Sequence, residues 1–211
     1  MKICEIYKGI IGEGGLAGYP AVIVRTSGCN LRCKWCDTKY AYHEGEEMKL
    51  EDILEEIKKL QANFVLLTGG EPLIQPDVCA FSNLVVTEGF GLIVETNGSM
   101  DISILPEDCI RIVDIKPPGS GMSEHILWDN INHLRAYDEV KFVIADKADY
   151  LWARKKAMEY KLFERVSSIF LSPAYSILKG QQLAEWLIDD VLPFRLNIQL
   201  HKILWGEKRG V

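Results

Sequence analysis

Six short runs rich in β-branched and apolar residues punctuate the chain, at 21–25 (AVIVR), 64–67 (FVLL), 92–95 (LIVE), 110–113 (IRIV), 139–144 (EVKFVI) and 168–171 (SIFL). Most are separated by stretches with helical spacing. In KLEDILEEIKKL, Leu50, Ile53, Leu54, Ile57 and Leu60 share one helical face, with charges opposite. Leu183, Trp186 and Leu187 repeat the pattern after Gly180, and 126–137 (ILWDNINHLRAY) repeats it more weakly. Strands that are nearly all apolar are buried on both faces, so their alternation with helices predicts parallel β/α units. About six units in 211 residues fall short of a closed eight-fold barrel, which takes ~250 residues. A doubly wound sheet and an incomplete, splayed barrel both fit. Either one confines chemistry to loops at the carboxyl ends of the strands. No repeat, linker or low-complexity tract divides the chain, so a single domain over 1–211 is expected.

Charge narrows the partners. With 24 basic and 30 acidic residues the net charge is −6, and no basic run has the density that nucleic-acid backbone binding needs. No apolar stretch has the length of a membrane span, and MKICEIYKGIIGEGG lacks the apolar core of a signal peptide. A cytoplasmic protein is expected. Its six cysteines then read as thiols or metal ligands before disulfides. Cys4, Cys79 and Cys109 stand alone and read as small hydrophobes.

The other three are clustered. Cys29, Cys33 and Cys36 form C-x3-C-x2-C a few residues after the first apolar run. Soft sulfur ligands select iron–sulfur clusters, zinc or cuprous copper. Three thiolates on a four-iron cubane leave one iron open, and an open position on a metal usually serves catalysis. Zinc completed by His43 or another cysteine, or an electron carrier with a distant fourth cysteine, are the competing readings. The later strands also end in polar groups. The second runs into TGGEPL, whose glycines bare backbone carbonyls and whose Glu71 is biased toward an extended conformation by Pro72. The third ends at Glu95, Thr96 and Asn97, the fourth at Asp114 and Lys116, the sixth at Ser172. Arg25, at the end of the first strand, has the fork geometry to clamp a carboxylate.

The cysteine motif after a first strand resembles the radical S-adenosylmethionine (SAM) enzymes. Further segments resemble their 7-carboxy-7-deazaguanine synthase family: EIYKGIIGEG, VIVRTSGCNLRC, CDT, TGGEP, VETNGS, KPPGSG and LHKILWGEKRGV. This likeness implies an incomplete (β/α)6 TIM-like partial barrel, with a cluster loop at 26–40 and a C-terminal substrate-contacting segment at 196–211. It implies a 4Fe-4S cluster on Cys29, Cys33 and Cys36, whose open iron is chelated by SAM. One electron from the cluster cleaves SAM to a 5′-deoxyadenosyl radical. Gly69, Gly70, Glu71, Glu95, Asn97, Asp114, Ile115, Lys116 and Ser172 would contact SAM. Ile10, Ile11, Gly12, Glu13, Arg25, Thr68 and His201 would contact 6-carboxy-5,6,7,8-tetrahydropterin, and Thr38 would bind Mg2+. The implied reaction abstracts hydrogen from C6, contracts the ring and releases ammonia, with SAM regenerated. A flavodoxin- or ferredoxin-like reductant and a homodimer are also implied.

Two positions depart from the family pattern. Ile11 stands where many relatives carry Gln, leaving only a backbone contact. Asp-Ile-Lys at 114–116 replaces Ser-Pro-Lys and is similar to the Asp-x-Lys of glycyl-radical-activating enzymes. Those enzymes are the nearest functional alternative, and a zinc-binding interaction module is the remote one.

Overall fold

The computed structural model describes residues 1–211. Its strands are β1 (Lys2–Ile10), β2 (Pro20–Thr26), β3 (Glu46–Glu47), β4 (Phe64–Gly69), β5 (Gly91–Thr96), β6 (Cys109–Asp114), β7 (Glu139–Ile144), β8 (Ser168–Pro173) and β9 (Phe194–Leu196). Its helices are α1 (Leu50–Leu60), α2 (Val78–Thr87), α3 (Lys147–Glu159), α4 (Gly180–Asp189) and α5 (Leu200–Trp205). All nine strands form one sheet in the order β3-β1-β2-β4-β5-β6-β7-β8-β9, with β3 and β9 left as edges. From β2 to β9 every pairing is parallel, whereas β1 runs antiparallel to both β2 and β3. The six expected strands are β2 and β4 to β8, and the sheet stays open as the partial-barrel reading required. No helix is long and apolar enough to cross a membrane.

Side chains alternate across each strand with period two, and here the two faces differ. Outward positions such as Val22, Val24, Val65, Leu67, Val94, Val140 and Phe142 join a 31-residue core with Ile53, Ile57, Phe81, Tyr150, Ala153 and Leu183 from the helices. Inward positions form a second, six-residue cluster of Ile11, Ala21, Ile23, Leu66, Ile93 and Ile112. Two residues further along those strands the inward side chain turns polar: Arg25, Thr68, Glu95 and Asp114. A small apolar floor therefore lies beneath a polar layer at the carboxyl ends.

The weak helical pattern at 126–137 becomes a 3-10 turn, Trp128–His133, and no α-helix forms there. Asn130 pins this turn to the segment after β5: its buried side chain donates to the Gly98 and Met100 carbonyls and accepts from the Ile102 N–H.

Candidate active site

The polar layer opens into a cleft of about 600 Å³, and the cysteine loop closes one side of it. Cys29, Cys33, Cys36 and Thr38 line the cleft with Ile10, Gly12, Glu13, Arg25, Thr68, Gly69, Gly70, Glu95, Asn97, Asp114, Lys116, Ser172 and His201. Burial pushes the Cys29 and Cys33 thiols up, and both feel the charge of Cys36. No three His, Cys or acidic side chains meet closely enough to hold a single metal ion, and His43 is exposed outside the cleft. His43 is therefore not placed to complete a zinc tetrahedron with the three cysteines. The cleft also holds two buried polar atoms without partners, Asp114 Oδ1 and Trp35 Nε1, as a ligand-binding wall requires.

Three expected contact residues are placed otherwise. Glu71 is fully buried. Its Oε1 accepts from Thr96 Oγ1 (2.7 Å) and the Leu73 N–H (3.0 Å), and its Oε2 from the Asn97 N–H (2.6 Å). Its carboxylate therefore ties the β4 and β5 loops together and is not presented to a ligand. Ile11 belongs to the inner apolar cluster; its N–H donates to Tyr19 O and its carbonyl accepts from the Gly18 N–H, so its backbone closes the 11–19 turn. Ile115 packs in the main core, and its N–H donates to Lys141 O.

Two cleft glycines sit where a side chain would collide with a neighbour. Gly69 has φ +139° with its missing Cβ position against Thr26, a conformation that disfavours any other residue. At Gly12 a Cβ would overlap the His201 ring, and the Gly12 carbonyl accepts from the Leu200 N–H at 2.9 Å. The first loop and the C-terminal helix are thus in contact. Burial lowers the His201 pKa below its ordinary value, with Asp37 opposing.

Arg25 donates from Nε to Glu5 Oε2 at 3.0 Å and reaches Tyr7 Oη at 3.5 Å. Glu5 also receives Arg209 Nε at 3.0 Å, and the Arg209 guanidinium stacks 3.5 Å from the Tyr40 ring centroid. Thr68 Oγ1 donates to Glu95 Oε2 (3.0 Å), while Asn97 Nδ2 lies 3.8 Å from Cys29 Sγ. Glu13 Oε2 accepts from Lys141 Nζ, and its Oε1 from Asn197 Nδ2, both at 3.0 Å; Ser172 Oγ sits 3.5 Å from Oε1.

A Radical SAM superfamily profile matches residues 23–118. The chain is 38% identical to the 7-carboxy-7-deazaguanine synthase of Koribacter versatilis over 226 aligned residues covering all of both proteins. It is 38% identical over 213 residues to that of Thermoplasma acidophilum, again end to end. Against that of Neisseria meningitidis it is 44% identical, covering 95% of this chain and 92% of the relative. The chain belongs to the 7-carboxy-7-deazaguanine synthase family. The crystal structure of QueE from Escherichia coli shares the fold, with a TM-score of 0.75 over 95% of this chain and 94% of that one, at 23% identity.

As a member of this family, the chain carries site residues that sequence reasoning passed over. Lys141 and Asn197 hold Glu13, and Glu5 holds Arg25 with Arg209 behind it. Lys141 leaves a visible trace, since it is the lone cation among the apolar residues of EVKFVI. Asn197, just beyond a three-residue strand, leaves none.

Proposed function

We propose that this chain is a 7-carboxy-7-deazaguanine synthase, contracting 6-carboxy-5,6,7,8-tetrahydropterin to 7-carboxy-7-deazaguanine with loss of ammonia. The observation that carries the reading is one cleft in which the cysteine loop faces Arg25, Glu13, Thr68 and His201, in a chain aligned end to end with that family. The family's 4Fe-4S cluster and SAM, when bound, supply the one-electron chemistry that begins hydrogen abstraction.

In this reading Cys29, Cys33 and Cys36 hold the cluster. Gly69, Gly70, Glu95, Asn97, Asp114, Lys116 and Ser172 provide carbonyls, hydroxyls and charges for SAM. Ile10, Gly12 and Glu13 read the pterin's amino-pyrimidinone edge, with Thr68 beneath the ring. Arg25 offers Nη1 to the substrate carboxylate, because Glu5 takes its Nε edge and Tyr7 Oη lies against Nη2. His201 supplies the second carboxylate contact as a neutral donor, consistent with its lowered pKa. Thr38 offers a hydroxyl to Mg2+, a hard ion that keeps waters and substrate oxygens as its other ligands. The single-domain organisation, a cytoplasmic homodimer and a flavodoxin- or ferredoxin-like reductant complete the proposal.

Anaerobic incubation with SAM, reductant and the carboxy-pterin, followed by mass analysis, tests it. The deazapurine acid and stoichiometric ammonia are expected. Cleavage of SAM with no change in the pterin would overturn the substrate assignment. Zinc in place of iron in anaerobically purified protein would overturn the cluster.

A further inference from the structure

Lys141 lies midway along β7 and is 3% exposed. Its ammonium meets three carboxylates carried by three different segments. Glu13 Oε2, from the loop after β1, is 3.0 Å away; Asp114 Oδ2, at the end of β6, is 3.3 Å away; Glu95 Oε1, on β5, is also in contact. Asp114 additionally pairs with Lys116 at 2.9 Å. Three acids thus share two ammonium groups in a space where each unpaired charge is costly.

Lys141 is the only cation paired with Glu13. Burial raises the Glu13 pKa above its ordinary value, with Glu95 and Asp114 adding to the rise and Lys141 the one group pulling it back down. Burial would lower the Lys141 pKa, but Glu13, Glu95 and Asp114 together hold it well above the ordinary lysine value. Other charges near this group are Glu139, two residues before Lys141 on the same face of β7, Lys116 on Asp114, Asp37 of the cysteine loop, which feels Lys141, and His201 of α5, which feels Glu95. From β8 and the segment after β9, Ser172 and Asn197 present only neutral groups to Glu13.

An amino-pyrimidinone edge offers adjacent N–H donors. An ionised carboxylate accepts both, while a protonated one carries a competing donor. We propose that Lys141 is a positioning residue for substrate recognition, holding Glu13 ionised and aimed across the cleft so that it accepts the paired N–H donors of the pterin edge. The inference rests on the proposed function and adds a residue to it. It also explains why a strand interior keeps a buried cation where an apolar residue would be cheaper. The asymmetry of contacts adds detail. Asn197 and Ser172 fix one Glu13 oxygen and Lys141 the other, so the carboxylate plane is set before substrate arrives.

Pterin binding to the reconstituted enzyme, measured by equilibrium dialysis with SAM and no reductant, tests this without turnover. Lys141→Gln keeps a donor and removes the charge. It is expected to weaken pterin binding by about tenfold to a hundredfold at neutral pH, the range for a lost charged hydrogen bond. Its affinity should decline on acidification at a higher pH than the wild type's, because Glu13 without its counter-ion protonates more easily. Lys141→Arg should restore both affinity and pH profile. Combining Lys141→Gln with Glu13→Gln should cost little beyond Glu13→Gln alone. A pH-independent defect, or additive losses in the double variant, would overturn the proposal.

If Lys141→Gln does not fold, infrared difference spectra of wild type against Glu13→Gln at neutral pH decide. An ionised carboxylate band supports the proposal and a protonated carbonyl band overturns it. A wild-type enzyme that neither binds nor converts the pterin instead refutes the function. A wild type that binds while Lys141→Gln matches it at every pH refutes only the role of Lys141.

Discussion

Glu139 precedes Lys141 by two residues, and both of its oxygens accept from the Gly15 N–H at 3.0 Å. Burial raises its pKa above the ordinary 4.5, against the Gly15 hydrogen bond and Arg195. Between the unfolded and folded values the native state binds the extra proton, so this group's contribution to stability falls as pH rises through that window. Glu139→Gln removes the slope. Denaturation midpoints of the variant should therefore fall less than wild type's as pH rises above the ordinary glutamate value of 4.5; parallel curves would contradict the assignment. Thr38 is the other residue where a substitution speaks clearly. Its hydroxyl donates to Asp37 Oδ1 at 2.9 Å, leaving its lone pairs for a cation. Thr38→Ala should raise the Mg2+ concentration for half-maximal stimulation by about tenfold or more, and unchanged metal dependence would remove Thr38 from the site.

Among the elements, α5 and the residues after it do most to shape the cleft. Lys202 of α5 lies 3.6 Å from Asp37, and Gln199 before it reaches the same carboxylate at 3.4 Å. Beyond α5, Arg209 grips Glu5 and Glu44 while lying on Tyr40. These contacts are solvent-exposed, so Arg209→Ala should raise the pterin KM by only about two- to fivefold while making residues 206–211 more sensitive to protease. No change in either would show that the segment is held elsewhere. Elements like these were hard to read in advance. Six of the seven parallel strands announced themselves as apolar runs because both their faces are covered. In β1, KICEIYKGI, polar and apolar residues mix, and its burial pattern is mostly intermediate, so it offers no such run. At two and three residues, β3 and β9 are too short for any periodicity. In the site, strand-end polar residues were legible from position alone. The motif at 68–73 did not reveal which way Glu71 turns, because that depends on Thr96 and Asn97 from the next strand.

At the scale of the molecule, the cleft joins segments remote in sequence: the first loop, the cysteine loop, six parallel strands and the C-terminal helix. Ligands that bridge them should stabilise the native state by mass action. Saturating SAM at about a hundred times its dissociation constant adds roughly 2.7 kcal/mol. For a chain of this size that corresponds to a rise in unfolding temperature of about 5–10 °C in cluster-loaded protein. Calorimetry with and without SAM checks this, and an unshifted transition would mean that the cleft does not bind it. Glu5 shows the same joining in miniature. One acid near the start of the chain is shared by a guanidinium on the second strand and another 204 positions away in sequence. Drift at any of these three sites disturbs the other two. Across homologous sequences, positions 5, 25 and 209 are therefore expected to covary as a set, with an acid-to-neutral change at the first accompanied by loss of a base at the last.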